Sequence, residues 1–397
     1  MERIDTDILV AGGGLAGLAA AARLGVAGQR VTVVDPAPAE TGPGDDRRTT
    51  AILAPAAETL ARAGAWDAMA AGAAPLWTMR LIDAGGVERR PRETADFEAR
   101  EMQDRPFGWN VANRPARAAL LGRVAEMEGV RLERGTAVTG LLTRSTGVVA
   151  RLSDGRQVTA RLAVAADGRD STLRRLAGIP VRRWDYGQVA LVFPVTHPQP
   201  HEGVSTEIHR TGGPLTLVPM PDLDGHPSSA VVWMVPKARG ARLSVLDDGA
   251  LGTELTAETM GLFGPLRVAG PRASWPIIGL LAGRMTAERL ALVAEAAHVI
   301  PPIGAQGLNM SLADVECLAR LIEETGGDPG APALLSRYGM RRWPETAARV
   351  AGVDTLNRFA QAEAQPLRDL RRLGLKAIHD LPPVRHLAMR LGMGASG

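Results

Sequence analysis

The sequence contains few cysteines, lysines or aromatic residues. Its single cysteine, Cys317, excludes an intrachain disulfide and a cysteine-cluster metal site, and it fits a reducing compartment. Lysine occurs only at Lys237 and Lys376 among 46 basic residues, so arginine carries almost all of the positive charge. Because the formal net charge is only +3, we expect no nucleic-acid partner.

Long apolar runs are missing as well. No stretch of about 20 apolar, uncharged residues exists, so no transmembrane helix is predicted. The N-terminus leads directly into a strand with Asp5 and Asp7 nearby, which is not the pattern of a signal peptide. These absences favour a cytoplasmic location. The 397 residues, 45% of them hydrophobic, suffice for two or three domains with an ample core.

The first motif that indicates chemistry lies near the N-terminus. Gly12, Gly14 and Gly17 have the G-x-G-x-x-G spacing between a short apolar strand and an alanine-rich helix, and Asp35 ends the next strand. The glycines permit a tight turn, close approach of a pyrophosphate and close packing of helix on strand, and the acid binds a ribose hydroxyl. The combination predicts a bound dinucleotide with a free ribose rather than a 2′-phosphate.

A second stretch of this kind spans residues 289–318. The apolar run from Leu290 to Ala294 predicts a strand, and Glu295 places a carboxylate at the end of that strand. A loop rich in glycine and proline then leads into a predicted helix that begins at Leu308. The N–H groups at the start of a helix favour an anionic guest. Taken alone, an ordinary strand, rigid turn and helix explain this stretch equally well.

A third strand ends at Asp167-Gly168, before a helix that starts at Ser171. Ligands of an open α/β sheet bind at the carboxyl ends of its strands. Three strand ends with glycine and acid are hard to explain by packing alone, so we predict that they form one binding site.

The middle of the chain has a different character. Residues 181–280 contain short β-like runs separated by turns rich in proline and glycine, which predicts a mostly antiparallel sheet. Residues 76–98 alternate and turn at Gly85-Gly86, which indicates a hairpin that leaves the nucleotide-binding domain. Tyr186 and Trp233 lie in the sheet region, where they either line an aromatic substrate pocket or pack in the core.

The predicted fold is α/β. It consists of a discontinuous Rossmann-like domain, a mostly antiparallel β-sheet domain for the substrate and a helical C-terminal segment. The predicted boundaries are 1–75, 99–180 and 281–330 for the first, 76–98 and 181–280 for the second, and 331–397 for the third.

Several motifs then occur together in a fixed order. They are Gly12 to Gly17, Ala166-Asp167-Gly168 with Ser171 and Arg174, and Glu295 to His298 followed by Pro301-Pro302 and Gly304 to Asn309. This set resembles the single-component FAD-dependent aromatic hydroxylases and, within them, the ubiquinone-biosynthesis hydroxylases. Finer matches are Arg48 within DRRTTAI, Asn113-Arg114, WDYGQ at 184–188, GPLTLVPM at 213–220 and DTLNRF at 354–359. The resemblance covers nearly the whole chain.

The resemblance implies that the Rossmann-like domain binds FAD. The residues implied to bind it are Gly12, Gly14, Ala16, Gly17, Asp35, Arg48, Arg114, Asp167, Gly168, Glu295, Pro302, Gly304, Gly307, Leu308 and Asn309. A loop with Pro302, Gly304, Gln306 and Gly307 would face the isoalloxazine and stabilise the anionic reduced flavin. The family has Gly-Asp where this chain has Ala294-Glu295, so the contact with the ribityl chain must accommodate one more methylene.

The activity implied by the resemblance is hydroxylation of the aromatic ring of a polyprenylated phenol in ubiquinone biosynthesis. A donor reduces FAD, O2 forms a flavin hydroperoxide, and one oxygen atom passes to the ring. No acid–base residue and no metal are expected, and His298 is interpreted as structural. The donor stays open between NADH, NADPH and an external reductase, because no second G-x-G-x-x-G motif lies between a strand and a helix.

A strongly apolar, polyprenylated substrate implies contact with a ubiquinone-biosynthesis complex or with the inner face of the bacterial membrane. Residues 361–397 carry six basic residues against three acids, which suits a surface helix on a membrane or partner. Packing of this helix on its own domain explains the pattern too and is favoured. Two other functions stay open: a same-fold flavoenzyme for a soluble aromatic or a prenyl chain, and a non-catalytic flavin-binding assembly factor.

Overall fold

The computed structural model describes residues 2–38, 48–84, 90–210 and 212–361, together with Asp380, Arg385, His386 and Met389. The predicted turn at Gly85-Gly86 and most of the basic segment after Gln361 therefore lie outside the described residues.

The elements alternate between strands and helices in the first part of the chain. The strands up to the middle of the chain are β1 (Arg3–Asp5), β2 (Ile8–Ala11), β3 (Val31–Asp35), β4 (Thr49–Leu53), β5 (Ala74–Leu76), β6 (Thr78–Asp83), β7 (Glu93–Glu98), β8 (Gly108–Ala112), β9 (Val130–Arg134), β10 (Val138–Arg144), β11 (Gly147–Leu152), β12 (Gln157–Ala160) and β13 (Leu162–Ala165). The later strands are β14 (Val181–Thr196), β15 (Val204–Arg210), β16 (Gly213–Leu223), β17 (His226–Pro236), β18 (Arg267–Val268), β19 (Ala273–Ala282), β20 (Thr286–Ala287), β21 (Leu290–Leu292) and β22 (His298–Val299). The helices are α1 (Leu15–Val26), α2 (Ala54–Arg62), α3 (Trp66–Ala70), α4 (Asn113–Ala125), α5 (Thr172–Leu176), α6 (Lys237–Ser244), α7 (Asp248–Glu258), α8 (Gln306–Thr325) and α9 (Pro332–Gln361), with single 3-10 turns at Ala99–Glu101 and Ala294–Ala296.

A six-stranded sheet in the order β20-β21-β13-β2-β3-β9 forms the centre of the nucleotide-binding part. All of its pairs are parallel except the edge pair of β20 and β21. Every residue of β2, β13 and β21 is buried, as expected for a parallel sheet. Helix α1 packs between this sheet and helices α4 and α8. This arrangement confirms the predicted Rossmann-like fold.

A nine-stranded sheet, antiparallel except for the pair of β6 and β15, forms the second layer. Strands β6 and β7 pair antiparallel, as predicted for residues 76–98. Helices α6 and α7 cover one face, where Leu191, Leu217 and Trp233 are buried. The opposite face buries Ala190 and Met234 against other parts of the chain. Strand β22 also joins this sheet, although the sequence assigned its residues to the first domain, and the domain boundaries stay a prediction.

Helix α9 is a 30-residue helix that continues through Pro344. It packs on α8 and along β19, and the indole N–H of Trp343 donates to the carbonyl oxygen of Ala282 at 3.0 Å. The structure therefore confirms a helical C-terminal segment as far as Gln361. None of the helices in the described ranges is long and apolar enough to cross a bilayer.

Two predicted boundaries differ from the structure, and both lie at backbone with positive φ. Strand β21 ends at Leu292 rather than Ala294, because Ala294 has φ +57 and enters a 3-10 turn. Helix α8 begins at Gln306 rather than Leu308, directly after Ala305 with φ +56. An apolar run and a helical period do not reveal a left-handed alanine, so the sequence pattern misplaced both ends.

Candidate cofactor site

In the first glycine loop, between β2 and α1, glycine residues pack directly against backbone atoms with no side chain between them. A Cβ on Gly12 would lie 2.3 Å from the carbonyl oxygen of Ala166, and one on Gly17 would lie 1.9 Å from the carbonyl oxygen of Gly12. Gly12 also has φ +108, which favours glycine. A Cβ on Gly14 would meet nothing within 4 Å. Gly12 and Gly17 are thus required by the fold, whereas Gly14 leaves open space where α1 begins.

The start of α1 is also free to receive an anion. The helix has no side-chain N-cap, so the N–H groups of its first turn, which includes Ala16, have no partner within the helix. The open space beside Gly14 lies at this end of the helix, where the helix dipole favours negative charge. This geometry suits the pyrophosphate of a dinucleotide.

Asp35 ends β3 beside the glycine loop. Its Oδ2 accepts the N–H of Gly13, its Oδ1 accepts the N–H of Ala37 at 2.7 Å, and the residue is buried. The carboxylate is thus fixed at the edge of the sheet where a ribose binds in this fold. Arg117 of α4 reaches the carbonyl oxygen of Gly13 at 3.4 Å. Sequence reasoning missed Arg117, which lies one helical turn after Arg114.

Asp167 ends β13 at the same edge. Its Oδ2 accepts the N–H groups of Thr172 and Leu173 at 2.7 and 3.0 Å and so caps α5. Its Oδ1 is buried and accepts no hydrogen bond from the described residues. Gly168 follows with φ +81, and a Cβ on it would meet nothing within 4 Å. A buried acceptor beside open backbone is what a cofactor hydroxyl or N–H group would satisfy.

Residues 294–306 connect β21 to α8 and contain most of the loop predicted to face the isoalloxazine, so they are named here the flavin-facing segment. Near its start, both carboxylate oxygens of Glu295 accept hydrogen bonds from Arg169, at 3.0 and 3.1 Å. Both side chains are partly exposed. Arg169 follows the Asp167-Gly168 strand end, so the ion pair joins two of the predicted cofactor loops. The predicted contact of Glu295 with the ribityl chain stays a prediction, and sequence reasoning did not single out Arg169.

The later part of the segment alternates between exposed and buried residues. Pro302 is exposed, whereas Ile303 is buried against the β-sheet. Gly304 and Ala305 then have φ +61 and +56 and turn the chain into α8. Gly307 is exposed, and a Cβ on it would meet nothing within 4 Å. Helix α8 has no side-chain N-cap, so its first N–H groups point out of this loop without a partner inside the helix.

The side chain of Asn309 fixes the start of α8 against a neighbouring strand. Its Oδ1 accepts the N–H of Leu53 at 2.8 Å, and its Nδ2 donates to the carbonyl oxygen of Ala51 at 2.8 Å. Asn309 therefore binds the protein through both ends of its amide and holds β4 beside the loop. Leu308 packs, partly buried, against the core of the nucleotide-binding part.

Two predicted arginines lie close together along β4 and α4. The N–H of Asn113 donates to the carbonyl oxygen of Arg48 at 2.8 Å, which brings Arg114 to the same region. The Arg48 guanidinium lies 4.7 Å from the ring centroid of Trp275, at a cavity of about 390 Å³. Arg114 is exposed. Asn113 is the first residue of α4, and its Oδ1 accepts the hydroxyl of Thr50 at 2.7 Å.

The two predicted substrate residues lie in different places. Trp233 is 2% exposed in the core beneath α6 and α7, with Arg239 stacked on its ring, so it lies on the face turned away from the flavin-facing segment. The structure therefore contradicts a substrate role for Trp233. Tyr186 packs, partly buried, against the core cluster that contains Ile303, and its hydroxyl donates to Asp354 at 2.7 Å. Burial and this hydrogen bond raise the pKa of Tyr186.

His298 belongs to the scaffold of the segment. It is 2% exposed, and its Nε2 lies 2.7 Å from Oδ2 of Asp314, a fully buried acid of α8. Because an ionised carboxylate only accepts, Nε2 is the donor. The structure supports the structural interpretation of His298.

These features fit FAD. Open backbone at Gly14, Gly168 and Gly307, two uncapped helix starts and an unsatisfied buried carboxylate oxygen all lie along the carboxyl edge of one parallel sheet. Fold and site together define a flavoprotein with a Rossmann-like domain and an attached β-sheet layer. The profile of a family described as "FAD binding domain" matches residues 5–352. The chain belongs to this family, its cofactor is FAD, and it is an FAD-dependent monooxygenase of the aromatic hydroxylase type.

Named relatives align over almost the whole chain. Ubiquinone hydroxylase UbiL of Rhodospirillum rubrum is 36% identical over 393 residues, covering 98% of this chain and 89% of the relative. The 3-demethoxyubiquinol 3-hydroxylase of Escherichia coli is 28% identical over 405 residues, covering 99% and 100%. Ubiquinone hydroxylase UbiM of Neisseria meningitidis is 28% identical over 390 residues, covering 97% and 84%.

Solved structures share the fold at lower identity. The p-nitrophenol 4-monooxygenase PnpA of Pseudomonas putida superposes with a TM-score of 0.80 at 19% identity, with 100% of both chains covered. The flavin-dependent monooxygenase PieE, solved with FAD and substrate, superposes with a TM-score of 0.72 at 19% identity, covering 100% of this chain and 72% of PieE. At these identities the likeness shows the fold alone.

Proposed function

We propose that this chain hydroxylates the aromatic ring of a polyprenylated phenol in ubiquinone biosynthesis, with O2 as co-substrate. The observation that carries the proposal is the 36% identity to a ubiquinone hydroxylase over 98% of the chain. Two further relatives with near full-length matches are also named as hydroxylases of ubiquinone or demethoxyubiquinol.

The cavity of about 390 Å³ beside Arg48 has mostly apolar walls, which include Val192, Phe193 and Met220. Val192 also packs against a buried core cluster that contains Ala190, Met234, Ile303 and Val353. An aromatic ring with a hydrocarbon tail needs apolar walls of this kind. Tyr186 borders the cluster and is retained as a substrate contact in the proposal.

The protein's own share of the chemistry is positioning and electrostatics. Bound FAD supplies the activation of O2, which amino-acid side chains alone do not provide. The N–H groups at the start of α8 and its positive helix end would stabilise negative charge on the reduced cofactor. Arg48, Arg114 and Asp167 would hold its phosphate and ribityl groups. We assign no acid–base residue.

The electron donor, the partners and the location belong to the proposal as well. NADH, NADPH and an external reductase stay open as donors. A strongly apolar, polyprenylated substrate favours association with the inner face of the membrane or with other enzymes of the same pathway. The basic C-terminal segment that would mediate such contact lies almost entirely outside the described residues.

The test uses the purified protein with bound FAD. NADH or NADPH is added anaerobically with a prenylated phenol or with the matched phenol that lacks the prenyl chain, and isotope-labelled O2 is then admitted. We expect flavin bleaching to be faster with the prenylated phenol and the label to appear on its ring. Equal turnover of both phenols would instead favour a hydroxylase of soluble aromatics. Label on the prenyl chain would contradict the proposal. The proposal would also be contradicted if bound FAD showed no turnover with either phenol, whichever donor or chemical reductant was supplied.

A further inference from the structure

The flavin-facing segment has a left-handed alanine near each end. Ala294 has φ +57 at its start, and Ala305 has φ +56 one residue before α8. The left-handed backbone conformation is unfavourable for a residue with a Cβ atom. Such a residue keeps this conformation only where contacts with the surrounding structure hold it. The contacts that hold these two alanines therefore decide the shape of the loop that faces the cofactor.

The first end is held by Asp314 of α8. Its Oδ2 accepts the backbone N–H of Ala294 at 3.1 Å and the Nε2–H of His298 at 2.7 Å. Asp314 is completely buried, so no water competes for these bonds. A carboxylate from one helix thus fixes both the left-handed residue and the strand residue that follows the turn.

The second end is held by Gln306, the first residue of α8. Its Nε2 donates to the carbonyl oxygen of Gly304 at 3.1 Å, across the left-handed turn. Its Oε1 accepts a hydrogen bond from Arg349 of α9 at 3.0 Å. Because an arginine only donates, this contact fixes which end of the amide is oxygen and so directs the Nε2–H group to Gly304.

The two ends are joined by one chain of charges. Arg342 donates its Nε–H to Oδ1 of Asp314 at 2.8 Å and contacts Glu345 through its Nη1. Glu345 in turn accepts the Nε–H of Arg349 at 3.2 Å. Asp314, Arg342, Glu345 and Arg349, named here the relay, alternate in sign and sum to zero. Asp314 and Arg342 are buried, whereas Glu345 and Arg349 are partly buried, and the opposite charges offset one another where α8 and α9 pack together.

We propose that the relay is a positioning element through which helix α9 sets both ends of the flavin-facing segment, and thereby the affinity and redox behaviour of bound FAD. None of its members is among the residues assigned to the cofactor. The proposal concerns the FAD site alone and does not depend on the phenol substrate proposed above.

The test compares two arginines of α9. Arg349→Met removes the link to Gln306, whereas Arg337→Met, also on α9, removes only an exposed ion pair with Glu324 of α8. Apoprotein of each variant is titrated with FAD, and the midpoint potential of bound FAD and the melting temperature of the apoprotein are measured. We expect Arg349→Met to weaken binding of reduced FAD about tenfold relative to oxidised FAD, seen as a lower midpoint potential, whereas Arg337→Met matches the unaltered protein.

A double variant separates positioning from general stability. If Arg349 acts through Gln306, Gln306→Leu alone should reproduce the lowered potential, and adding Arg349→Met should change it little further. Arg349→Lys keeps one hydrogen-bond donor, so its midpoint potential should lie between those of Arg349→Met and the unaltered protein. This variant also allows the potential to be measured if Arg349→Met does not fold. A lower melting temperature with an unchanged potential, or fully additive effects in the double variant, would overturn the proposal.

Discussion

The two loops that are predicted to bind the cofactor, both at one edge of the parallel sheet, differ in how they are held. The loop at residues 12–17 obtains its positive φ from glycine and packs backbone on backbone, with Gly12 against Ala166 and Gly17 against Gly12. The flavin-facing segment uses alanine at its left-handed ends and is held by charged and amide side chains of α8 and α9.

The difference shows that a loop can be specified locally or from a distance. A glycine loop needs only its own short motif, because glycine adopts the required φ without help. An alanine in the same conformation needs partners that lie far along the chain, as Asp314 and Arg349 do. Added side-chain volume should therefore break the first loop, and removed charge should break the second.

The largest effect is expected in the glycine loop. Gly17→Val would drive side-chain atoms into the carbonyl oxygen of Gly12, so we expect no folded protein. A Cβ at position 14 meets no protein atom within 4 Å, so Gly14→Val should fold with an almost unchanged apoprotein melting temperature and yet retain no FAD, because the side chain fills the space for the pyrophosphate. Melting curves and the flavin absorbance of the purified variants measure both. Full flavin retention by Gly14→Val would refute the assignment of this loop.

The second effect concerns the charge that holds the flavin-facing segment. Asp314→Asn removes the fully buried one of the two carboxylates that pair with Arg342, and breaking a buried ion pair typically costs about 3–5 kcal/mol in the free energy of unfolding. Glu324→Gln, which loses only an exposed ion pair with Arg337, should cost less than about 1 kcal/mol. Urea unfolding of the two apoproteins tests this contrast, and equal costs would remove the distinction between the two kinds of pair.

The same variant has a defined pH dependence. Burial opposes ionisation of Asp314, but Arg342 and His298 outweigh it and hold the pKa of Asp314 below its ordinary value. A depressed carboxyl pKa adds stability above the unfolded-state pKa, and this contribution disappears as pH falls through the folded-state pKa. The gap in unfolding free energy between the parent protein and Asp314→Asn should therefore narrow when pH is lowered below the ordinary aspartate pKa. If the difference in unfolding free energy between the two proteins does not change with pH, the pKa of Asp314 is not lowered.

The sequence predicted the locally encoded half of this site. The G-x-G-x-x-G spacing, Asp35 at the end of β3 and the Asp167-Gly168 strand end each lie within one short stretch with its own strand and helix, and the structure brings them to one edge of the sheet. The α/β class, with a Rossmann-like domain and a mostly antiparallel sheet, followed from the same local patterns.

The other half depends on contacts that a single sequence does not encode locally. Arg169 meets Glu295 across 126 positions, and Arg349 meets Gln306 across 43. A strand alternates its side chains between two faces, but the alternation alone does not say which face meets the cofactor, so the sequence left open whether Trp233 lines a pocket or packs in the core, where the structure places it. Asn113 has the residue type of an N-cap, but the hydroxyl of Thr50 from β4 occupies its side-chain oxygen.

The smallest effect tests whether Ala294 is strained. Ala294→Gly should remove roughly 1–2 kcal/mol of left-handed strain and add about 0.5–1 kcal/mol of backbone entropy cost, for a net gain in stability of about 0–1.5 kcal/mol. Ala296→Gly, a buried position in the same 3-10 turn without positive φ, should instead destabilise the protein. Urea midpoints of the two apoproteins measure the difference. If both glycines destabilise equally, Ala294 carries no strain, and the relay would then hold a loop that is already stable without it.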